Sequence, residues 1–297
     1  MRHSATPRGG DQQGGWRQSN RLRQRLRHGI SYALILAGAV VVLTPMVWMI
    51  STSLKTLGDT YVFPPQWISL SPKWSNYTDA FTEFPFLQYA LNSAAISGSV
   101  IVGTLLSCSL AAYGFARLRA PGRNLIFYAV LATVMLPGTV TLIPVYTVFV
   151  NLGWLNTFKP LIVPSFFGDA FSIFLLRQFF LAIPREMEEA ARIDGATYVG
   201  IYRRIMLPLA RPALVAVAIF SFNTTWNDYF TPLIYLTDPS KYTVAVGLTY
   251  FQGDARVATQ INQLMAVSFV ALMPLLVVFF FAQRLFIKGI VFTGVKG

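Results

Sequence analysis

Residues 30–50 form an unbroken run with no charged side chain, and this feature constrains the fold more than any other. Crossing ~30 Å of hydrocarbon takes about 20 helical residues at 1.5 Å each. Further apolar runs of about that length fall at residues 93–115, 125–145, 161–180, 212–236 and 264–281. The third and fourth are interrupted or edged by Pro137, Pro144, Pro160 and Pro164, and Asp169 lies inside the fourth. Proline is tolerated in bilayer helices where neighbours re-satisfy the freed backbone groups. The chain is 54% hydrophobic and 12% charged, against about 25% charged in a soluble domain. These runs predict an all-α polytopic membrane protein with six transmembrane helices. Disordered, collagenous and disulfide-rich classes are excluded by the apolar content and the lone Cys108.

The net charge of +12 could signal a nucleic-acid partner, so its placement matters. Nineteen of the 24 Lys and Arg residues lie in the N-terminal segment, in the second-to-third connection (Arg117, Arg119, Arg123), from Arg177 at the inner end of the fourth span to the start of the fifth, or at the C-terminus. Only Lys55, Lys73, Lys159, Lys241 and Arg256 fall on the opposite side. Basic residues near span ends stay in the cytoplasm, so both termini are expected there and no nucleic acid is expected to bind. Two other readings of the N-terminus stand beside this one. Ala37-Gly38-Ala39 imitates a signal-peptide cleavage site, although the apolar run continues well past it. Residues 16–28 could form a basic surface helix, with Arg17, Arg21 and Arg25 at helical spacing. The Gly- and Gln-rich residues 9–15 read as disordered linker.

Material for catalysis is scarce. The only histidines are His3 and His28, no Ser stands in a G-x-S-x-G turn, and no Gly-Lys pair marks a phosphate-cradling loop. Cys108, between two serines in an apolar run, reads as a packing residue. Ionisable groups within spans are costly and point to function. Asp228 could face a polar pathway, with Asn227 and, one turn earlier, Asn223; equally, it could cap a broken helix. Asp169, next to Gly168, reads as a cap.

Residues 184–211 form a polar connection too long for a simple turn. Pro184 suits a helix start, and Glu186, Glu188 and Glu189 oppose the dipole in the first turns of a helix running to Arg192. Gly195 offers the positive φ at which a helix stops. A second helix is expected over 198–206, ending before Pro208, with Tyr198, Ile201, Tyr202 and Ile205 as its apolar stripe.

Glu189-Ala190-Ala191, then Gly195, then Ile205-Met206-Leu207-Pro208 resemble the EAA motif of ATP-binding-cassette (ABC) importer permeases. The likeness narrows to the carbohydrate type, similar to the smaller permease of maltose transport. Ala112-Tyr113-Gly114-Phe115-Ala116-Arg117, Phe174-Leu175-Leu176-Arg177-Gln178-Phe179-Phe180, Trp226-Asn227-Asp228 and Gly294-Val295-Lys296-Gly297 belong to the same pattern. The resemblance implies a type I ABC importer (MetI-like) permease fold and a bacterial or archaeal cytoplasmic membrane. On it, residues 1–29 form a basic tail, 30–50 the first span, 88–283 the transmembrane core with its coupling loop at 184–211, and 284–297 a C-terminal tail. The implied partners are an ATP-binding subunit dimer, a second, non-identical permease, an extracellular or periplasmic solute-binding protein touching residues 238–262, and membrane lipid. No cofactor is expected on this chain; ATP and Mg belong to the partner ATPase. Glu189, Ala190, Ala191, Asp194, Gly195, Ile205, Leu207 and Pro208 would then form the ATPase joint, and Asn223, Trp226, Asn227 and Asp228 are candidates for the substrate passage. The expected cargo is a sugar or oligosaccharide; a polyol, glycerol phosphate, glycerol phosphodiester or an ion-coupled carrier are the alternatives.

Overall fold

The computed structural model describes residues 12–69, 71–253 and 260–293. Helix α1 (Gln12–Ser53) contains the first apolar run and continues in front of it, so residues 12–15, expected as linker, are helical; residues 9–11 lie outside the described part. A short turn, α2 (Leu57–Thr60), and α3 (Ser75–Glu83) lead to α4 (Phe86–Arg117). At 32 residues α4 is about 48 Å long, so one end stands clear of a ~30 Å hydrocarbon layer unless the helix tilts steeply. Next come α5 (Arg123–Ala132) and α6 (Gly138–Asn151), then α7 (Lys159–Ile162) and α8 (Ala170–Ala182). The helix pair of the polar connection is α9 (Glu186–Ile193) and α10 (Tyr198–Ile201), the latter running through a π turn into α11 (Leu207–Leu209). The chain closes with α12 (Arg211–Trp226), α13 (Phe230–Tyr235), α14 (Val244–Gly253) and α15 (Ile261–Thr293).

Among the described residues four helices are long and apolar enough to cross a membrane: Arg27–Ser53, Phe86–Arg117, Lys159–Ala182 and Ile261–Gln283. Two bent pairs pass the same test, Arg123–Met135 with Gly138–Asn151 and Tyr198–Leu209 with Arg211–Trp226. Counting each pair as one span gives six. The third span is thus not straight: Pro137 forces Leu136 into extended backbone (ψ 117), and the two halves meet at 100°. The fifth, expected to run to residue 236, stops at Trp226, and α13 is a separate short helix. Inside the fourth, Gly168 at φ 96 separates a 3-10 turn (Val163–Phe167) from α8.

Helix α4 is the central post, packing against α8, α12, α14 and the 3-10 turn, while α15 packs against α1, α3 and α12. Small residues set the closest approach. A Cβ on Gly103 would lie 2.3 Å from Ser165 Oγ and 2.8 Å from the Phe166 ring, and Ser107 Oγ donates to the Ser165 carbonyl at 2.9 Å. This is how helices associate where burying apolar surface drives little. Two buried clusters result. One gathers Tyr113, Leu176, Phe180, Ile201, Met206 and Val217 at the end that carries α9 and α10; the other gathers Phe84, Tyr89, Trp226, Val244, Val246 and Val267 at the opposite end. Of residues 238–262, expected to touch a solute-binding protein, 254–259 lie outside the described part and 238–253 are folded onto α4: Asn92 Nδ2 donates to the carbonyls of Ser240 and Tyr242, and Ser93 Oγ accepts from the Val244 amide. At that far end Asn76 Nδ2 donates to the carbonyls of Ser53 and Lys55 at 2.8 Å each, and Asn262 Nδ2 donates to Asn76 Oδ1 and to the same Lys55 carbonyl. Apolar side chains along α1 stay exposed, with Val42 at 75%, the state expected of a helix solvated by lipid.

Candidate functional site

Pro184 follows Ile183, whose backbone is extended (ψ 131), and α9 starts at Glu186 with three acidic residues in its first turn. Its inward face is narrow. Glu188 is the one buried residue of the helix, Ala191 is half-buried, and Glu189, Ala190, Arg192 and Asp194 are exposed. The helix ends in the double closure that a left-handed residue permits: Gly195 N–H donates to Arg192 O at 3.0 Å and Ala196 N–H to Ala191 O at 2.9 Å, with Gly195 at φ 80. Thr197 Oγ1 then accepts from the Gly200 amide and starts the second helix.

That second helix is longer than expected. It runs through Pro208 to Leu209 before bending 75° into α12. The π turn over Tyr202–Met206, with Leu207 N–H donating to Tyr202 O, makes this possible, because the wider turn relieves the contact a proline ring otherwise makes with the carbonyl four residues back. It also inserts one residue into the stripe. Ile201 and Met206 are fully buried, Tyr202 and Ile205 are half-buried and Tyr198 is 53% exposed. Tyr202 Oη lies 2.7 Å from Ser109 Oγ, and Tyr113 Oη donates to the Tyr198 carbonyl, which fixes the pair to α4.

The motif residues therefore divide. Glu189, Ala190, Asp194 and Gly195 share the exposed turn beside Ile193 (87% exposed) and Val199, while Ile205, Leu207 and Pro208 are half-buried at the root of α12. The apolar tips Ile193 and Val199 fall outside the expected stripe, Ile193 between Arg192 and Asp194 and Val199 beside Tyr198. Sequence reasoning also missed the buried partner of Glu188. Arg117 Nε lies 2.8 Å from Glu188 Oε1, with the two side chains 3% and 6% exposed.

The four passage candidates are also divided. Asn223 and Asn227 are exposed, and Asn227 Nδ2 donates to the Asn223 carbonyl at 2.8 Å. Trp226 turns the other way; it is buried and donates from Nε1 to the Ala271 carbonyl at 3.1 Å. Asp228 accepts from the Thr231 amide at 3.1 Å in the first turn of α13. Asp169 caps α8 through the Ser172 amide at 2.8 Å. Among the described residues no group of His, Cys, Asp and Glu could hold a metal ion. Lys296 lies outside the described residues.

Comparisons with known proteins give the chain a family. Residues 103–291 match the family of binding-protein-dependent transport system inner membrane components, and the chain belongs to that family. It is a multi-pass membrane permease subunit of an ABC importer. It is 34% identical over 258 residues to the diacetylchitobiose uptake system permease protein NgcG of Streptomyces coelicolor, covering 86% of this chain and 84% of that one. It is 34% identical over 248 residues to the arabinooligosaccharides transport system permease protein AraQ of Halalkalibacterium halodurans (83% and 86%). The sn-glycerol-3-phosphate transport system permease protein UgpE of Salmonella typhi is 34% identical over 271 residues (88% and 95%). Among solved structures, a bacterial ABC transporter involved in alginate import superposes with a TM-score of 0.79 at 22% identity, over 94% of this chain and 99% of that one, a likeness of fold.

Proposed function

We propose that this chain forms half of the passage through which a sugar or oligosaccharide crosses the cytoplasmic membrane of a bacterium or archaeon. A second, non-identical permease supplies the other half, and a separate ATPase dimer grips the exposed turn at Glu189, Ala190, Asp194 and Gly195. The observation that carries this reading is the split of the motif itself, with one part exposed as a contact surface and the other rooted in α12. Closure of the ATPase pair would draw the two permeases' turns together and rock the helices from inward-facing to outward-facing, a rigid-body transition between two states. ATP and Mg would sit on that partner. The basic ends of the spans support placing the helix pair and both termini in the cytoplasm. The opposite end, where residues 238–253 fold onto α4, would then meet a solute-binding protein, as the alginate transporter does in its complex with an alginate pentasaccharide-bound periplasmic protein.

Relatives named for diacetylchitobiose and arabinooligosaccharides favour a carbohydrate cargo, and Asn223 and Asn227 offer amides suited to hydroxyl groups. The sn-glycerol-3-phosphate permeases, equally similar, keep a glycerol phosphate as the second reading. The test is ATP-dependent uptake in proteoliposomes carrying the whole assembly, with labelled diacetylchitobiose, arabino-oligosaccharide and glycerol 3-phosphate. Uptake of either saccharide supports the reading, and uptake of glycerol 3-phosphate alone favours the second. Accumulation by this chain alone in ATP-free vesicles would overturn both in favour of an ion-coupled carrier.

A further inference from the structure

The buried ion pair between Arg117 and Glu188 has no place in the ATPase joint or in the passage, yet its position is unusual. Arg117 is the last residue of α4, and its Nη2 donates to the carbonyls of Phe180 (2.6 Å) and Ile183. Both carbonyls lie at the C-terminal end of α8, where that of Phe180 also accepts the Ile183 amide in the closing turn. The same guanidinium meets Glu188 through Nε. One side chain thus joins the ends of two packed helices to the first turn of α9. The signs agree with all three dipoles: a cation at two C-termini and an anion at one N-terminus.

Two features show why such a joint is needed. Helix α9 buries no other residue, so little apolar packing holds it in place, and its connection to α8 is the extended Ile183 followed by Pro184 and Arg185. The next helix, by contrast, is anchored through Ile201 and Met206. Without the pair, a push on the exposed face of α9 would bend residues 183–185 before it moved a transmembrane helix. A buried pair is a poor source of stability compared with apolar packing, and its best-attested use is to fix one arrangement over others. Lys241–Asp238 is the other ion pair among the described residues, and it is exposed.

We propose that Arg117 and Glu188 form a latch that makes α9, α4 and α8 move as one body, so that motion imposed on the exposed turn reaches the passage. Both are positioning residues, acting through the helices they join. The proposal rests on the coupling role given above to the exposed turn.

The experiment uses the complete assembly in proteoliposomes and reads ATP hydrolysis and solute uptake from the same vesicles. In Glu188→Gln, the ATPase is expected to stay bound and to hydrolyse ATP within about twofold of wild type, while uptake per ATP falls about tenfold, a size that loss of one coupling link can reach. The double variant Arg117→Met with Glu188→Met refills the volume without charge. It is expected to assemble normally and stay uncoupled, because it cannot engage the Phe180 and Ile183 carbonyls. A purely structural pair would instead be rescued by Met–Met. Wild-type uptake per ATP in either variant overturns the latch, and so does failure of both to assemble, which would make the pair a folding requirement. Failure of the underlying reading looks different: Glu189→Lys would then leave ATPase binding and uptake intact.

Discussion

Gly195 offers a perturbation whose cost can be worked out in parts. The residue sits at φ 80, and a Cβ built there has no atom within 4 Å. An alanine methyl therefore meets no clash within this chain, and the cost of Gly195→Ala reduces to the left-handed backbone, about 1–2 kcal/mol for an L-residue. At 1.4 kcal/mol per factor of ten, that depopulates the closed turn about 5- to 30-fold against a relaxed alternative. Asn tolerates this region through local hydrogen bonding, so Gly195→Asn keeps the turn while adding a side chain of moderate size. Gly195→Trp combines the backbone cost with bulk projecting from the exposed face between Asp194 and Val199. The assay is the affinity of the purified ATPase for the permease complex in nanodiscs, with uptake measured in parallel. We expect Ala to weaken binding by the stated factor, Asn to stay within a few-fold of wild type, and Trp to abolish binding and uptake while the protein remains inserted. Normal binding and uptake by the Trp variant would refute the docking role. Equal losses for Ala and Asn would refute the conformational explanation.

Three further outcomes follow from packing and charge. Gly103→Ala should lower the melting temperature in detergent, since its methyl would overlap Ser165 and Phe166 at an overpacking cost of about 1–3 kcal/mol; Gly98→Ala, with open space around it, should not. Asn76→Ala should be among the more destabilising single changes at the far end, taking the Asn76 donor from the Ser53 carbonyl and the acceptor from one N–H of Asn262 at about 1–3 kcal/mol for each unpaired group, and a melting curve within a degree of wild type would contradict that. Asp238 accepts hydrogen bonds from the Ser240 hydroxyl and amide, which with nearby Lys241 hold its carboxyl below the ordinary value of 3.8. A lowered carboxyl pKa adds stability that is complete above the unfolded value and is lost as pH falls through the folded one. Protection of the Ser240 amide, its exchange rate taken relative to the unfolded amide at the same pH, should therefore fall only in acid below that ordinary value, and Asp238→Asn should remove that fall.

The spans were legible because a bilayer demands long apolar runs, and the turn at Gly195 because only a few residues suit a positive φ. Glycine and proline marked the breaks near Pro137 and Gly168, but composition cannot distinguish an interruption from a 100° bend. The π turn was hidden: periodicity assumes 3.6 residues per turn, and one added residue moved the burial from Ile205 to Met206. Glu188 and Glu189 look alike in sequence, and their opposite fates depend on where the end of α4, 71 positions earlier, places Arg117. Asp228 left two readings open that only the contact with the Thr231 amide could inform.

The asparagine clasp at the far end sets an order in time. Asn76 lies 21 positions from Lys55 and can take its carbonyl as soon as α3 has formed, whereas Asn262 lies 207 positions away. At synthesis rates of about 5–20 residues per second, that separation corresponds to about 10–40 s. During that interval the first span waits in the membrane with only its early partner, and the arrival of the last span turns a local knot into a closure of the whole chain.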